Sequence, residues 1–155
     1  MAHYLYGERI GREASIRLGC SAVLLDAGGG RVLLTRRTDN GRWCLPGGGV
    51  DAGESVAEAV EREVWEETGL RVRATRLLGV YSSPDMLVAY ADGNRFQLVA
   101  LNFVVEQVGG ELRLSDETTE YGFFGWDELE QMDIIDPHVV RLRDVRAGGD
   151  APYMR

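Results

Sequence analysis

The sequence contains no lysine, and its two cysteines, two histidines and four prolines are sparse for a chain of 155 residues. Each shortage excludes something. Without lysine, every side-chain cation other than histidine is an arginine, and the net charge of -8 with a pI near 4.8 leaves no basic surface of the kind that duplex DNA or RNA requires. Cys20 and Cys44 lack CxxC spacing and are too few for a disulfide framework, so reduced thiols in a cytoplasm are expected. The first twenty residues are interrupted by Glu8, Arg9, Arg12, Glu13 and Arg17, which rules out a signal-peptide core. No apolar run reaches the roughly 18 residues of a membrane span, so a soluble protein is expected. With only His3 and His138, no G-x-S-x-G elbow and no evident His partner for Cys44, nucleophilic hydrolysis has little support. Gly47 and Gly49 are followed by Ala52, so no G-x-G-x-x-G fingerprint opens a helix.

What the sequence does hold is acid, concentrated in one place. The stretch EREVWEETGL, residues 61–70, carries four carboxylates and one base, Arg62. Ser55 followed by Glu58 makes a capping box and Gly69 a helix-ending residue, which predicts a helix from Ser55 to Thr68. Val56, Val60 and Val64 form its apolar stripe, while Glu63, Glu66 and Glu67 stand at i, i+3 and i+4 on another face. Like charges at that spacing cost about 0.2–0.5 kcal/mol per pair, and a solvated face would relieve them with basic residues one turn away. Immediately upstream, LPGGGVDAGE supplies a glycine-rich loop whose backbone can approach a bound group closely.

Loop and helix together spell Gly48, five residues, Glu54, seven residues, Arg62, Glu63, Val64, one residue, Glu66, Glu67, one residue, Gly69, Leu70. This resembles the signature box of the Nudix hydrolases at every defined position. The resemblance extends through RVLLTRR and GRWCLPGG upstream and EYGFFGWDEL downstream, and so covers about Leu18 to Leu142. It implies a single domain over residues 1–155 with the Nudix α/β/α sandwich and a mixed β-sheet. It also implies that the carboxylates are crowded because they share divalent cations, Mg2+ with Mn2+ as the alternative. Glu63, Glu66 and Glu67 become the implied metal ligands, with one of them or a glutamate outside the box as base. Gly48 is implied as a backbone contact to metal, Gly47, Gly48 and Arg37 as substrate contacts, and Arg62 as the residue that orients Glu54 or Glu63. An acid from a downstream loop commonly completes such sites; of Asp116, Glu117 and Glu120, we favour Glu117.

The rest of the chain reads as strands and two short helices. SIRLGCSAVLLD and RVLLTRR are predicted strands joined as a hairpin through AGGG; VRATRLLGVYS, RFQLVALNFVVEQ and EYGFFGW are further strands. A short helix should begin near Trp126, and a last one with Asp136 as cap and Pro137 at the first helical position, carrying Val139 and Leu142 inward. RAGGDAPYMR reads as a loosely held tail. Trp43 and Trp65 are read as packing residues. The aromatic start HYLYGERI is read as folded onto the domain's own sheet or buried against a second subunit, and a homodimer is expected.

The expected reaction is Mg-dependent hydrolysis of a nucleoside diphosphate linked to another moiety, ADP-ribose or a nucleotide sugar, by attack of water on phosphorus. Pro84, fourteen residues after Leu70, is a weak pointer to ADP-ribose. The alternatives are a mutator-type enzyme that removes non-standard nucleoside triphosphates and a non-catalytic ligand sensor. An isoprenoid diphosphate isomerase would need a catalytic cysteine, whereas Cys44 reads as core. No nucleic-acid polymer or membrane is expected as a partner.

Overall fold

The computed structural model describes residues 2–155. Along the chain come β1 (Ala2–Tyr6), a 3-10 turn at Ile10–Glu13, β2 (Ser15–Leu24), β3 (Arg31–Arg37), β4 (Trp43–Cys44), β5 (Gly47–Gly49) and α1 (Val56–Thr68). They are followed by β6 (Leu70–Tyr81), β7 (Met86–Tyr90), β8 (Arg95–Gly110), β9 (Thr118–Gly125), α2 (Trp126–Leu129), α3 (Asp136–Ala147) and β10 (Tyr153–Met154).

The long strand β8 organises the larger sheet. One edge pairs in parallel with β2, from Ser15↔Phe96 to Leu24↔Val105. The other pairs antiparallel first with β7 and then with β6, while β5 closes onto β2 and β1 onto β7. A smaller sheet runs β4-β3-β9. From Gly19 onward β2 is buried on both faces, which explains why its sequence is a continuous apolar run and not an alternating one. Ala22 and Leu24 join Val60 and Val64 of α1 in one core, whereas Val23 packs in a second core with Leu34, Leu129 and Leu142. Each such aliphatic removed from water contributes about 1.5–3 kcal/mol before entropy is counted. The alternation along β2 thus builds the α/β/α sandwich, with α1 on one face of a mixed sheet and α3 on the other.

Three local expectations change and one open alternative is decided. The AGGG segment does turn the chain, with a single Leu25↔Val32 bridge, but β2 and β3 then part into different sheets and form no hairpin ladder. Asp136 is the first residue of α3 and not its cap; its carboxylate is held by Arg42 at 2.9 Å, and Ile135 caps the helix without a side-chain bond. The C-terminal segment is tied down, because β10 pairs with β6 in parallel and Arg155 bonds the buried Asp144 through two nitrogens at 2.8 and 3.2 Å. The aromatic N-terminus takes the first of its two readings and pairs with β7 of its own sheet.

Candidate active site

The site is built where β5 hands the chain to α1. Ser55 accepts the Glu58 N–H at 3.2 Å and donates its own N–H to the Glu58 carboxylate at 2.7 Å, fixing the helix start. Gly69 ends the helix at φ 75°, a conformation that suits glycine. Between these caps the helix presents its carboxylates to the loop. Gly48 has no side chain for a reason: a Cβ there would sit 2.5 Å from Glu63 Oε1. Gly47 packs as closely on the other side, since its Cβ would meet the Cys20 carbonyl oxygen at 2.2 Å.

Arg62 holds this region together. Its Nη2 and Nε donate to the two oxygens of Glu54 at 2.7 and 3.0 Å, and Nη1 donates to Glu63 at 2.9 Å and to Glu66 at 3.1 Å. A further bond from Nη2 reaches the Gly49 carbonyl at 3.1 Å. Arg62 therefore orients both Glu54 and Glu63, and it neutralises much of the charge that the spacing stacks on one face. The Glu54 carboxyl is pulled down to about 2, first by Arg62 and then by the Asp51 N–H.

Glu67 is in a different position. It is 5% exposed and has one donor, the Gly47 N–H at 3.2 Å. Burial pushes its pKa up to about 8, and the neighbouring charges of Glu63 and Glu117 push the same way. Glu63 is raised too, by burial first, with Glu66 and Glu117 adding repulsion.

The three downstream acids separate clearly. Thr118 donates its hydroxyl to the Glu67 carbonyl at 3.3 Å, which pins the turn holding Glu117 against the end of α1. Glu117 is thereby close enough for its charge to be felt by both Glu63 and Glu67. Glu120 is drawn to Arg36 at 2.5 Å; Asp116 and Glu117 are both exposed in the turn, and of the two it is Glu117 whose charge raises Glu63 and Glu67. Among the described residues no three acidic, cysteine or histidine side chains already converge as a metal cage. The donor set nevertheless fits a hard divalent cation: all its atoms are oxygens, and Glu67 is a buried carboxylate without an arginine of its own.

Behind the loop lies a cavity of about 140 Å³ lined by Gly47, Gly48 and Arg37 together with Tyr4, Phe96, His138 and Arg141. Arg37 in this lining is gripped by Asp39 at 2.8 and 3.0 Å. Trp43 packs edge-on against Phe124, and Trp65 lies between Arg71 and Arg113, so neither faces the cavity. Sequence reasoning did not find His138 and Arg141. The only signal was their i, i+3 spacing on a helix that carries Val139 and Leu142 inward.

A family model described as NUDIX domain matches residues 16–143. Over 105 residues the chain is 41% identical to an ADP-ribose pyrophosphatase of Methanocaldococcus jannaschii, a match spanning 66% of this chain and 59% of that protein. It is 37% identical over 126 residues to a MutT-like protein of Streptomyces ambofaciens, spanning 81% and 74% of the two chains. The fold matches the crystal structure of an ADP-ribose pyrophosphatase from Streptococcus suis with a TM-score of 0.70 and 25% identity, over 91% of this chain and 98% of that one.

Proposed function

From the premise that the chain belongs to the Nudix family, we propose that it hydrolyses the diphosphate of a nucleoside diphosphate linked to another moiety. ADP-ribose, named for two of the relatives, and nucleotide sugars are the leading members of that class. The observation that carries the reading is the α1 lip, with Glu63 seated against Gly48 and Glu67 buried against Gly47; the charge of Glu117, raising both, supports it. Nudix hydrolases use divalent cations, and Glu63, Glu66, Glu67 and the Gly48 backbone are the groups that would hold Mg2+, or Mn2+ in its place.

The cation would supply charge stabilisation to the phosphoryl oxygens. The chain's own part is positioning. Arg62 keeps Glu63 on the loop side of α1, Gly47 and Gly48 let the diphosphate approach the backbone, and Arg37 stands at the cavity wall to meet an anionic group. Glu117, or one of the box glutamates, takes the proton of the attacking water. Burial raises the Glu67 pKa, so a cation held there would compete with its proton. The mutator-type alternative, hydrolysis of non-standard nucleoside triphosphates, uses the same lip and has a MutT-like relative beside it.

A cytoplasmic setting accords with Cys20 and Cys44, which are buried free thiols. A homodimer would use the exposed edge of β1, where Tyr6 is 58% exposed. Light scattering tests it, and a particle of 17.2 kDa would exclude it.

The reading itself is tested with a panel of ADP-ribose, nucleotide sugars, dinucleoside polyphosphates and nucleoside triphosphates, with Mg2+ and with chelator. Release of a nucleoside monophosphate and a phosphorylated partner, only with the cation, is expected. Turnover of none of the panel would overturn it.

A further inference from the structure

The cavity behind the Gly47–Gly49 loop has a charge pattern opposite to the rest of the molecule. Three arginines line it, Arg17, Arg37 and Arg141, and no aspartate or glutamate does, in a chain of net charge -8. Two of the three are engaged: Arg37 with Asp39, and Arg17 stacked 5.3 Å over the Phe96 ring. Arg141 is 3% exposed, and among the described residues no carboxylate lies within ion-pair reach of it. Its Nη1 donates to Ser21 Oγ at 3.1 Å, its guanidinium lies 5.5 Å over the Tyr81 ring, and its buried Nε has no hydrogen-bond partner. A buried guanidinium left this poorly satisfied is costly, and proteins retain such groups where a ligand supplies the missing acceptor.

Beyond Ser21 Oγ, the neighbours add donors. Leu45 gives its N–H to His138 Nδ1 at 3.0 Å, which places the imidazole proton on Nε2, and that atom stands 3.3 Å from Arg141 Nη1. Ser21 gives its hydroxyl proton to Asn102 Oδ1 at 2.8 Å, and the Asn102 amide nitrogen is itself buried without a partner. Two donor groups thus meet with nothing between them to accept. The walls around this floor are apolar and aromatic: Leu18, Leu98, Ile135 and Tyr4, with Tyr90 and Phe96 edge to face at 6.1 Å. A bare phosphate would not choose such walls; a planar heteroaromatic ring with acceptors on one edge would.

We propose that this cavity receives the substrate's nucleobase and that Arg141, with His138, selects bases presenting a keto edge. A guanidinium fork matches the adjacent O6 and N7 acceptors of guanine or hypoxanthine, and the O4 of uracil offers a single acceptor of the same kind. Adenine and cytosine instead point an amino donor at the fork. The inference rests on the nucleotide reading above and narrows it, favouring keto-base diphosphates over ADP-ribose.

The test separates the two claims by using binding without turnover. Binding of IMP, AMP, UMP and CMP to the intact protein is measured by calorimetry in chelator, with ribose 5-phosphate and inorganic phosphate as controls. IMP and AMP differ only at the amino or keto group, and IMP should bind about tenfold to a hundredfold more tightly, UMP likewise over CMP. Arg141→Met, which keeps much of the volume, should bring the IMP to AMP ratio close to one. Arg141→Gln, whose amide both accepts and donates, should turn the preference towards AMP. Circular dichroism confirms that each variant is folded, and an unfolded Met variant leaves the Gln variant and the native IMP to AMP ratio to decide. Equal binding of IMP and AMP by the native protein, or phosphate binding as tight as IMP, would overturn the proposal. If the keto preference appears but no diphosphate substrate is cleaved, the base pocket stands and the hydrolase reading falls.

Discussion

Two ends of one substrate path carry opposite imbalances of charge. On the α1 lip a single guanidinium, Arg62, is shared among Glu54, Glu63 and Glu66, while Glu67 has only a backbone N–H. On the cavity floor Arg141 has no acid within ion-pair reach among the described residues; its Nη1 donates to Ser21 and faces a histidine that donates as well. The lip has too few cations and the floor too few acceptors. Buried groups left unsatisfied in this way cost stability, so each end states what it lacks: a divalent cation at one, an acceptor edge at the other. The difference also shows how function is distributed. The lip is one helix and one loop, rigid through its capping box; the floor is assembled from β2, β8 and α3.

The largest effect should come from the lip's most buried acid. Glu67→Gln keeps the shape and removes the charge, and kcat with saturating Mg2+ should fall by at least about a hundredfold while the circular dichroism spectrum stays native. Unchanged kcat would remove Glu67 from the chemistry. Arg62→Lys comes next. One ammonium cannot reproduce the fork that holds Glu54 while reaching Glu63, so activity should fall about 10–100-fold, with a raised Mg2+ requirement in titrations. Gly48→Ala should cost less: its new methyl pushes the carboxylate end of Glu63 against its Arg62 bond, lowering activity while Tm changes little.

The smallest effect is on stability and concerns pH. The Glu67 pKa is raised to about 8 from 4.5, so the folded, metal-free protein holds a proton that the unfolded chain has already lost. Its contribution is therefore fully present below about 4.5 and is lost as pH rises towards about 8. In chelator, Tm should decline over that window, and Glu67→Gln should flatten the decline. Added Mg2+ should raise Tm more at pH 8 than at pH 5, because binding no longer has to expel the proton. The same shift at both pH values would mean that Glu67 does not face the cation.

The two ends were not equally legible in the sequence. Capping, helix ending and the i, i+3, i+4 carboxylates are local, so Ser55, Glu58, Gly69 and the α1 glutamates could be placed from spacing alone. Glu117 needed a resemblance to suggest it, and the Thr118 bond to α1 ties its turn to the helix end while Glu120 pairs with Arg36. Arg141 had no such cue. Its surroundings come from Ser21, Tyr81 and Asn102, up to 120 residues away in sequence, and one of the three arginines of α3 reads as solvent-facing. The tail was misread for the same reason, since the partners of Tyr153 and Arg155 lie in β6 and α3. Turn residues marked where β2 ended but could not say that β3 would enter another sheet.

The central claim is that the lip directs water to phosphorus, and isotope transfer tests it most directly. A nucleotide sugar with a keto base is turned over in 18O-labelled water with Mg2+, and the products are separated by mass spectrometry. The account predicts one 18O in one of the two phosphates per turnover, none on sugar carbon, and no products when chelator replaces the cation. Label on the sugar carbon, or undiminished turnover in chelator, would contradict it.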